Sequence, residues 1–188
     1  MAKINILDSS VYNRIAAGEV VDRPYSVVKE FVENSIDAGA TKISISIERG
    51  GKDLISVSDD GNGIGKEDLP AAFLPHATSK IASAEDLDRI MTLGFRGEAL
   101  ASIGSVARVT LRSRARGAGE AYEICCEGGT VSEVRPCALG DGTEITAENL
   151  FYNTPVRAKF MRTDKGEEGE ITNFVQRFVL GNPSVSFT

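Results

Sequence analysis

From Val106 to about residue 149 the chain keeps a strand-like period, and glycines interrupt it at Gly117, Gly128-Gly129 and Gly140-Asp141-Gly142. That pattern predicts strands near 106–114, 120–127, 130–136 and 143–149, joined by tight turns. A hairpin precedes them. Ile43, Ile45 and Ile47 share one strand face, Gly50-Gly51-Lys52-Asp53 makes the turn, and Ile55, Val57 and Asp59 share a face of the next strand. Helical period occurs on either side of this block. Pro24 announces a helix with Ser26 as N-cap, a body over residues 27–37, and Gly39 just past its end. A short helical stretch is expected near Lys66–Phe73, a turn or two around Glu85–Met91, and a helix from Gly97-Glu98-Ala99-Leu100. After a loop through Asn153-Thr154-Pro155, an amphipathic helix over about 168–180 carries Phe174, Val175, Phe178 and Val179 on one side, and Ser184–Thr188 reads as a short strand. The expectation is α+β, with helices on one face of a mainly antiparallel sheet.

At 188 residues there is room for one domain with a sizeable core. Net charge is −6, so any anionic ligand must be held locally, by backbone amides, a metal or a few placed cations. No apolar run is long enough to span a bilayer, and no secretory signal opens the chain. Cys125, Cys126 and Cys137 form neither a CxxC pair nor an even set, which fits a reducing cytoplasm better than a disulfide or zinc framework.

Three stretches can carry chemistry. On the first helix, Val27, Val28, Phe31, Val32 and Ile36 make the apolar side, and Lys29 and Glu33 lie towards solvent. Glu30, Asn34 and Asp37 fall at i, i+4 and i+7, within an arc of about 60° clear of the apolar side. An amide oxygen and carboxylates are hard ligands suited to Mg²⁺, and a carboxylate one turn away can orient or deprotonate a water. A solvated helix face would look the same. Second, Asp59-Asp60-Gly61-Asn62-Gly63 ends a strand whose inward face Asp59 continues. A carboxylate there needs a partner, which an exocyclic amine of adenine can supply, and glycines let backbone approach a flat ring. The alternatives are a plain turn or a calcium loop, and the later Glu of an EF-hand is missing. Third, Gly94-Phe95-Arg96-Gly97-Glu98-Ala99-Leu100 opens a helix whose first amides suit phosphate, although it matches neither a Walker loop nor a Rossmann turn. Upstream, Ala77-Thr78-Ser79-Lys80 offers hydroxyls and an ammonium group; the single histidine, His76, reads as a loop or packing residue.

Taken in order, Glu30-x-x-x-Asn34-x-x-Asp37-Ala38, Asp59-x-Gly61-x-Gly63, Gly94 to Leu100, and Gly142-Thr143 resemble the ATPase superfamily of DNA gyrase, the large heat-shock chaperone, histidine kinases and MutL. Ile15-Ala16-Ala17-Gly18-Glu19-Val20-Val21, His76 to Lys80, and Phe151-Tyr152-Asn153-Thr154-Pro155-Val156-Arg157 look like the MutL mismatch-repair branch, and the resemblance covers nearly the whole chain. It implies a Bergerat-type two-layer α/β sandwich that binds ATP and Mg²⁺. In that arrangement Glu30 is the general base, and Asn34 ligates Mg²⁺. Asp59 accepts the adenine amine, Gly63 and Ile64 lie beside the base, and Thr143 backs Asp59 through water. Thr78, Ser79 and Lys80 line a lid. Gly94, Phe95, Arg96, Gly97, Glu98, Ala99 and Leu100 serve the phosphates, with Arg96 ordering the lid, and Asp37 is a structural support.

The resemblance also implies a nucleotide-dependent N-terminal dimer, a mismatch-recognition protein, a downstream nuclease or helicase, and DNA as partners of a full-length protein in the bacterial cytoplasm, near the nucleoid. Residues 1–188 are expected to be one N-terminal ATP-binding domain of that protein, without the further domain whose lysine reaches the terminal phosphate and without the C-terminal dimerisation region. Arg108, Arg112, Arg114 and Arg116 are expected on one face, either to touch DNA phosphates or as a solvated basic surface. Other branches of the superfamily and a non-hydrolysing scaffold remain alternatives; the MutL-like segments disfavour the former, and Glu30 disfavours the latter.

Overall fold

The computed structural model describes residues 20–78, 93 and 97–188. The expected turns at Glu85–Met91 and the segment Ile15–Glu19 lie outside them. Helix α1 (Pro24–Asp37) buries Val27, Val28, Phe31 and Val32. Proline fixes its start, with Arg23 at the N-cap; Ser26 is not the cap but sits inside the first turn, its Oγ 2.5 Å from Asp22 Oδ1. The end is a Schellman motif: Ala40 N–H donates to Ser35 O at 3.1 Å and Gly39 N–H to Ile36 O at 2.9 Å.

Strands β1 (Lys42–Glu48) and β2 (Leu54–Asp59) form the hairpin, turned by a 3₁₀ element at Arg49–Gly51. The stretch near Lys66–Phe73 is helical only as a 3₁₀ turn at Ala71–Phe73. Helix α2 (Ala99–Val106) leads into β3 (Arg108–Arg114) and β4 (Ala121–Glu127). The strand expected at 130–136 is two short pieces, β5 (Thr130–Val131) and β6 (Arg135–Cys137), separated at 132–134, where the Cys125 N–H goes to the Ser132 hydroxyl instead of a strand carbonyl; Pro136 itself sits within β6, opposite Tyr122. Strand β7 (Gly142–Glu148) is followed by a short helix α3 (Pro155–Phe160), where a loop was expected; proline at its first turn supplies the helical φ. Helix α4 (Asp164–Gly181) starts a turn earlier than its apolar period indicates, capped by Thr163 Oγ accepting from Gly166 N–H, and leaves Val179 exposed. Strand β8 (Ser186–Phe187) closes the described chain.

The sheet runs β5-β4-β3-β7-β2-β1-β8, with β6 on β4; β1 and β8 are parallel and every other pair is antiparallel. Register places residues from five strands in rows on the core face. One row is Ile45, Val57, Ile145, Leu111 and Ile124; the next is Ile47, Ile55, Ala147, Val109 and Cys126. Helix α1 packs over β2, α2 over β3 and β4, and α4 over α1, all joining one apolar core. The other face is polar, with Lys42, Ser44, Ser46 and Glu48 exposed along β1. The result is the expected two-layer α+β sandwich with a mainly antiparallel, mixed sheet. Glu167 pins its helices together. It is fully buried, and its Oε1 accepts from Arg23 Nη1 at 3.1 Å and from Arg162 N–H at 2.6 Å, joining the starts of α1 and α4.

Candidate nucleotide site

A third row crosses the same core face at the end of β2. It comprises Ile43, Asp59, Thr143, Ser113 and Tyr122, so the three central strands turn polar together. Apolar rows hold the sheet against the helices, and this row is where the sheet can meet a polar ligand. Asp59 is held from two sides. Ser35 Oγ of α1 donates to its Oδ2 at 2.7 Å, and Gly61 N–H donates to its Oδ1 at 2.9 Å. These two donors fix the plane of the carboxylate without a counter-cation, which leaves its remaining lone pairs to accept from a ligand. Ser113 Oγ lies 2.9 Å from Thr143 Oγ1 and 2.9 Å from Gly142 O, and it accepts Ile64 N–H at 2.8 Å. The Ile64 amide is thus committed within the protein, and only its half-buried side chain is left to face a ligand.

Gly63 and Gly142 make this row possible. At Gly63, φ is +66° and a Cβ would lie 2.0 Å from the Arg114 carbonyl oxygen; at Gly142, φ is +115° and a Cβ would lie 2.0 Å from the Asp59 carbonyl oxygen. Backbone packing against the end of β3 therefore already demands glycine at Gly63, and packing against the end of β2 demands it at Gly142, before any base is considered. Asp60 closes the same turn. Its carboxylate accepts from Thr41 Oγ at 2.7 Å, Thr41 N–H at 2.7 Å and Lys42 N–H at 2.8 Å. The hydroxyl of Thr41 foremost, then the two amides, hold its pKa down at about 2. A depressed carboxylate pKa gives stability that is present above the ordinary value of 3.8 and is lost as pH falls through about 2. Asp60→Asn is expected to lower stability at pH 7 by about 1 kcal/mol, a modest figure because water also reaches this carboxylate. The gap to wild type should narrow steadily below about pH 4 in urea titrations, and a pH-independent gap would refute the assignment.

Helix α1 presents Glu30 and Asn34, both half-buried, on the stripe next to Ser35. Lys29 Nζ is 2.9 Å from Glu33 Oε2 and 3.5 Å from Glu30 Oε1, so its tighter partner is Glu33. Glu33 does not lie towards solvent as the helical wheel suggests. It is buried, and burial raises its pKa while the Lys29 hydrogen bond opposes the rise. Asp37 Oδ1 accepts from Leu93 N–H at 3.0 Å, tying the end of α1 to the residue before Gly94. Beyond Gly97 the helix α2 begins with Glu98 at its N-cap, but the Glu98 side chain does not cap it. It meets His76 Nδ1 at 3.0 Å instead, while a Cβ on Gly97 would lie 2.5 Å from the Ala77 carbonyl oxygen. The strands of chain on either side of residues 79–96 are therefore held against each other. The first-turn amides at Ala99 and Leu100 stand at a helix N-terminus that the Glu98 side chain does not cap, a position that suits anions, and the Leu100 side chain packs on the core. Thr78 is half-buried; Ser79, Lys80, Gly94, Phe95 and Arg96 lie outside the described residues.

Ser35 and Ser113 were not among the expected site residues. The available signal for Ser113 was a serine in phase with Val109 and Leu111 on a core-facing strand position. The arginines divide. Arg108, Arg112 and Arg114 share the outer face of β3, and Arg116 lies beyond the strand, its Nη2 donating to Asp60 O at 3.1 Å. Each strand arginine has carboxylates beside it: Glu127 at 2.8 Å from Arg108, Glu123 and Glu144 at 3.1 and 3.0 Å from Arg112, and Asp141 at 2.8 Å from Arg114. A phosphate would have to displace those acids, so this face is a neutralised polar surface. Among the described residues no helix is long and apolar enough to cross a membrane.

The sequence of residues 23–130 matches the family described as histidine kinase-, DNA gyrase B- and HSP90-like ATPases. Over 98% of its length the chain is 55% identical to a DNA mismatch repair protein MutL of Actinobacillus pleuropneumoniae serotype 3, of which it covers 30%. It is 54% identical to the MutL protein of Clostridium botulinum strain Eklund 17B, covering 28% of that protein. It thus spans less than a third of the curated relatives it matches. Among solved structures it resembles the Aquifex aeolicus MutL ATPase domain complexed with ADP, at 36% identity and a TM-score of 0.70 over 90% of this chain and 60% of that one. It also resembles the N-terminal domain of a DNA repair protein, at 29% identity and a TM-score of 0.78 over 93% of this chain and 50% of that one. With the motifs in order on this sheet and helix, and a matching stretch that runs from the start of α1 through β4, the chain belongs to the histidine kinase-, DNA gyrase B- and HSP90-like ATPase family.

Proposed function

We propose that this chain binds ATP with Mg²⁺ and hydrolyses it as the N-terminal ATPase domain of a MutL-type DNA mismatch-repair protein. The observation that carries this reading is the polar row Asp59–Thr143–Ser113, set beside the Glu30–Asn34 stripe of α1. The adenine amine donates to Asp59, with Thr143 behind it and Ile64 against the ring. The triphosphate runs along α1 towards the start of α2, where the amides from Gly97 to Leu100 meet it. Thr78, Ser79 and Lys80 would line a lid near the phosphates, and Gly94, Phe95 and Arg96 would also serve the phosphates, Arg96 by helping to order that lid. Among the described residues no three His, Cys, Asp or Glu side chains gather to cage a metal. The Asn34 side-chain oxygen is a hard donor of the kind Mg²⁺ takes, and it would hold the ion. When bound there, the ion would supply charge to offset that of the phosphates. Glu30, one turn earlier, takes the proton of the attacking water.

Support for the repair role comes from the similarity to MutL proteins over nearly all of this chain. The rest of the reading extends to the whole protein. Residues 1–188 are its N-terminal ATP-binding domain, and nucleotide orders the lid and the N-terminal segment so that two such domains associate. That dimer then passes the signal of a mismatch-recognition protein to a nuclease or helicase on DNA, in the bacterial cytoplasm near the nucleoid. The test is base selection. Asp59→Asn puts an amide donor where an acceptor is needed, so ATP affinity should fall about tenfold and the preference for ATP over GTP should shrink by a similar factor. Unchanged affinity and preference in a competition titration would refute the placement of the base.

A further inference from the structure

We propose that Ser113 is a positioning residue that sets purine choice, by turning the Thr143 hydroxyl into an acceptor on the ligand side. The inference rests on the reading of Asp59 as the base-binding carboxylate. Ser113 is 1% exposed, and three groups surround its Oγ. The Ile64 amide at 2.8 Å can only donate, the Gly142 carbonyl oxygen at 2.9 Å can only accept, and the Thr143 hydroxyl at 2.9 Å can do either. A serine hydroxyl has one hydrogen. If it went to Thr143, the oxygen lone pairs of Ser113 and Gly142 would face each other at 2.9 Å. One assignment makes all three contacts hydrogen bonds: Ile64 N–H and Thr143 O–H donate to Ser113, and Ser113 donates to Gly142 O.

Thr143 then has no hydrogen left for a ligand. Its neighbour across β2 and β7, Asp59, receives its protein donors from Ser35 and Gly61 and likewise offers only lone pairs. Two acceptors side by side suit a group with two hydrogens to give, the amine of a 6-aminopurine or a water bridging from it. A 6-oxopurine places its own lone pairs against both. Selection against an oxo group thus depends on leaving acceptors unpaired by the wrong base, a strong form of discrimination.

The experiment compares ATP with inosine triphosphate, which differs at this edge by an oxo group in place of the amine. Both are competed against a fluorescent ATP analogue on the full chain, for wild type, Ser113→Ala, Ser113→Thr, Thr143→Val and Asp59→Asn. Ser113→Ala frees the Thr143 hydrogen, and the ATP preference should fall about fivefold to tenfold, the effect of one hydrogen bond. Ser113→Thr keeps the hydroxyl and should restore the preference, which a loss of packing alone would not predict. If Ser113→Ala does not fold, Thr143→Val carries the test, since it removes the acceptor and should lower the same ratio. An undiminished ratio in folded Ser113→Ala or in Thr143→Val overturns the proposal. If Asp59→Asn alone lowers the ratio, the base is placed correctly and only the role of Ser113 fails; if Asp59→Asn leaves it unchanged, the underlying reading fails.

Discussion

In the full-length protein, Glu30→Ala should bind ATP as wild type does and hydrolyse it about 10²–10⁴-fold more slowly, the usual contribution of a general base. Binding should survive because the proposed role of Glu30 is to act on the attacking water, not to hold the phosphates. Its side chain keeps 21% of its surface exposed, and Lys29, its cation neighbour among the described residues, is nearer to Glu33. Lys29 also provides a control. Glu33→Ala releases Lys29 to pair with Glu30, which would stabilise the anion and weaken the base, so turnover should fall there too, by a smaller factor. Single-turnover hydrolysis and equilibrium binding should be measured on the same samples. Hydrolysis at the wild-type rate by Glu30→Ala would return Glu30 to a polar residue on a helix stripe.

Asn34→Ala should remove the dependence of ATP binding on Mg²⁺. Wild type should bind ATP more tightly with Mg²⁺ than with a chelator, and the variant should bind equally weakly in both. The metal has one protein ligand in this reading, so no second side chain makes up for its loss. The fold should survive: Asn34 lies off the apolar side of α1, its backbone carbonyl still accepts Ala38 N–H at 2.9 Å, and alanine favours a helix more than asparagine does. Calorimetry with a parallel melting curve separates the two effects. A Mg²⁺ dependence equal to wild type would end the metal assignment.

Local period in the sequence located α1, the β1–β2 hairpin and β3, β4 and β7 to within about two residues, because each buries one face and its pattern shows it. Gly39 marked its Schellman motif for the same local reason. Failures came where a distant partner decides. Glu33 looked solvated on the wheel, but it is buried with Lys29 beside it. The shared face of the β3 arginines was legible from alternation, whereas their carboxylate partners sit on β4, on β7 and in the turn before β7, and only register brings them close. The site divides likewise. Glu30, Asn34 and Asp37 stand out by helical spacing, and Asp59 by strand phase. Ser113 and Thr143 become neighbours only once β3 pairs with β7, and Ser35 meets Asp59 only when α1 packs over β2. Gly63 was legible as a glycine position, but the Arg114 carbonyl that requires it comes from another strand.

The most direct test of the central claim, that the polar row and the α1 stripe form one Mg²⁺–ATP pocket, is a calorimetric titration of ATP into this chain, with Mg²⁺ and with a chelator. Wild type should show one saturable site that Mg²⁺ tightens. Asp59→Asn should weaken it in both conditions, and Asn34→Ala should lose only the Mg²⁺ increment. No saturable binding by the folded wild-type chain, or binding that neither substitution alters, would contradict the account.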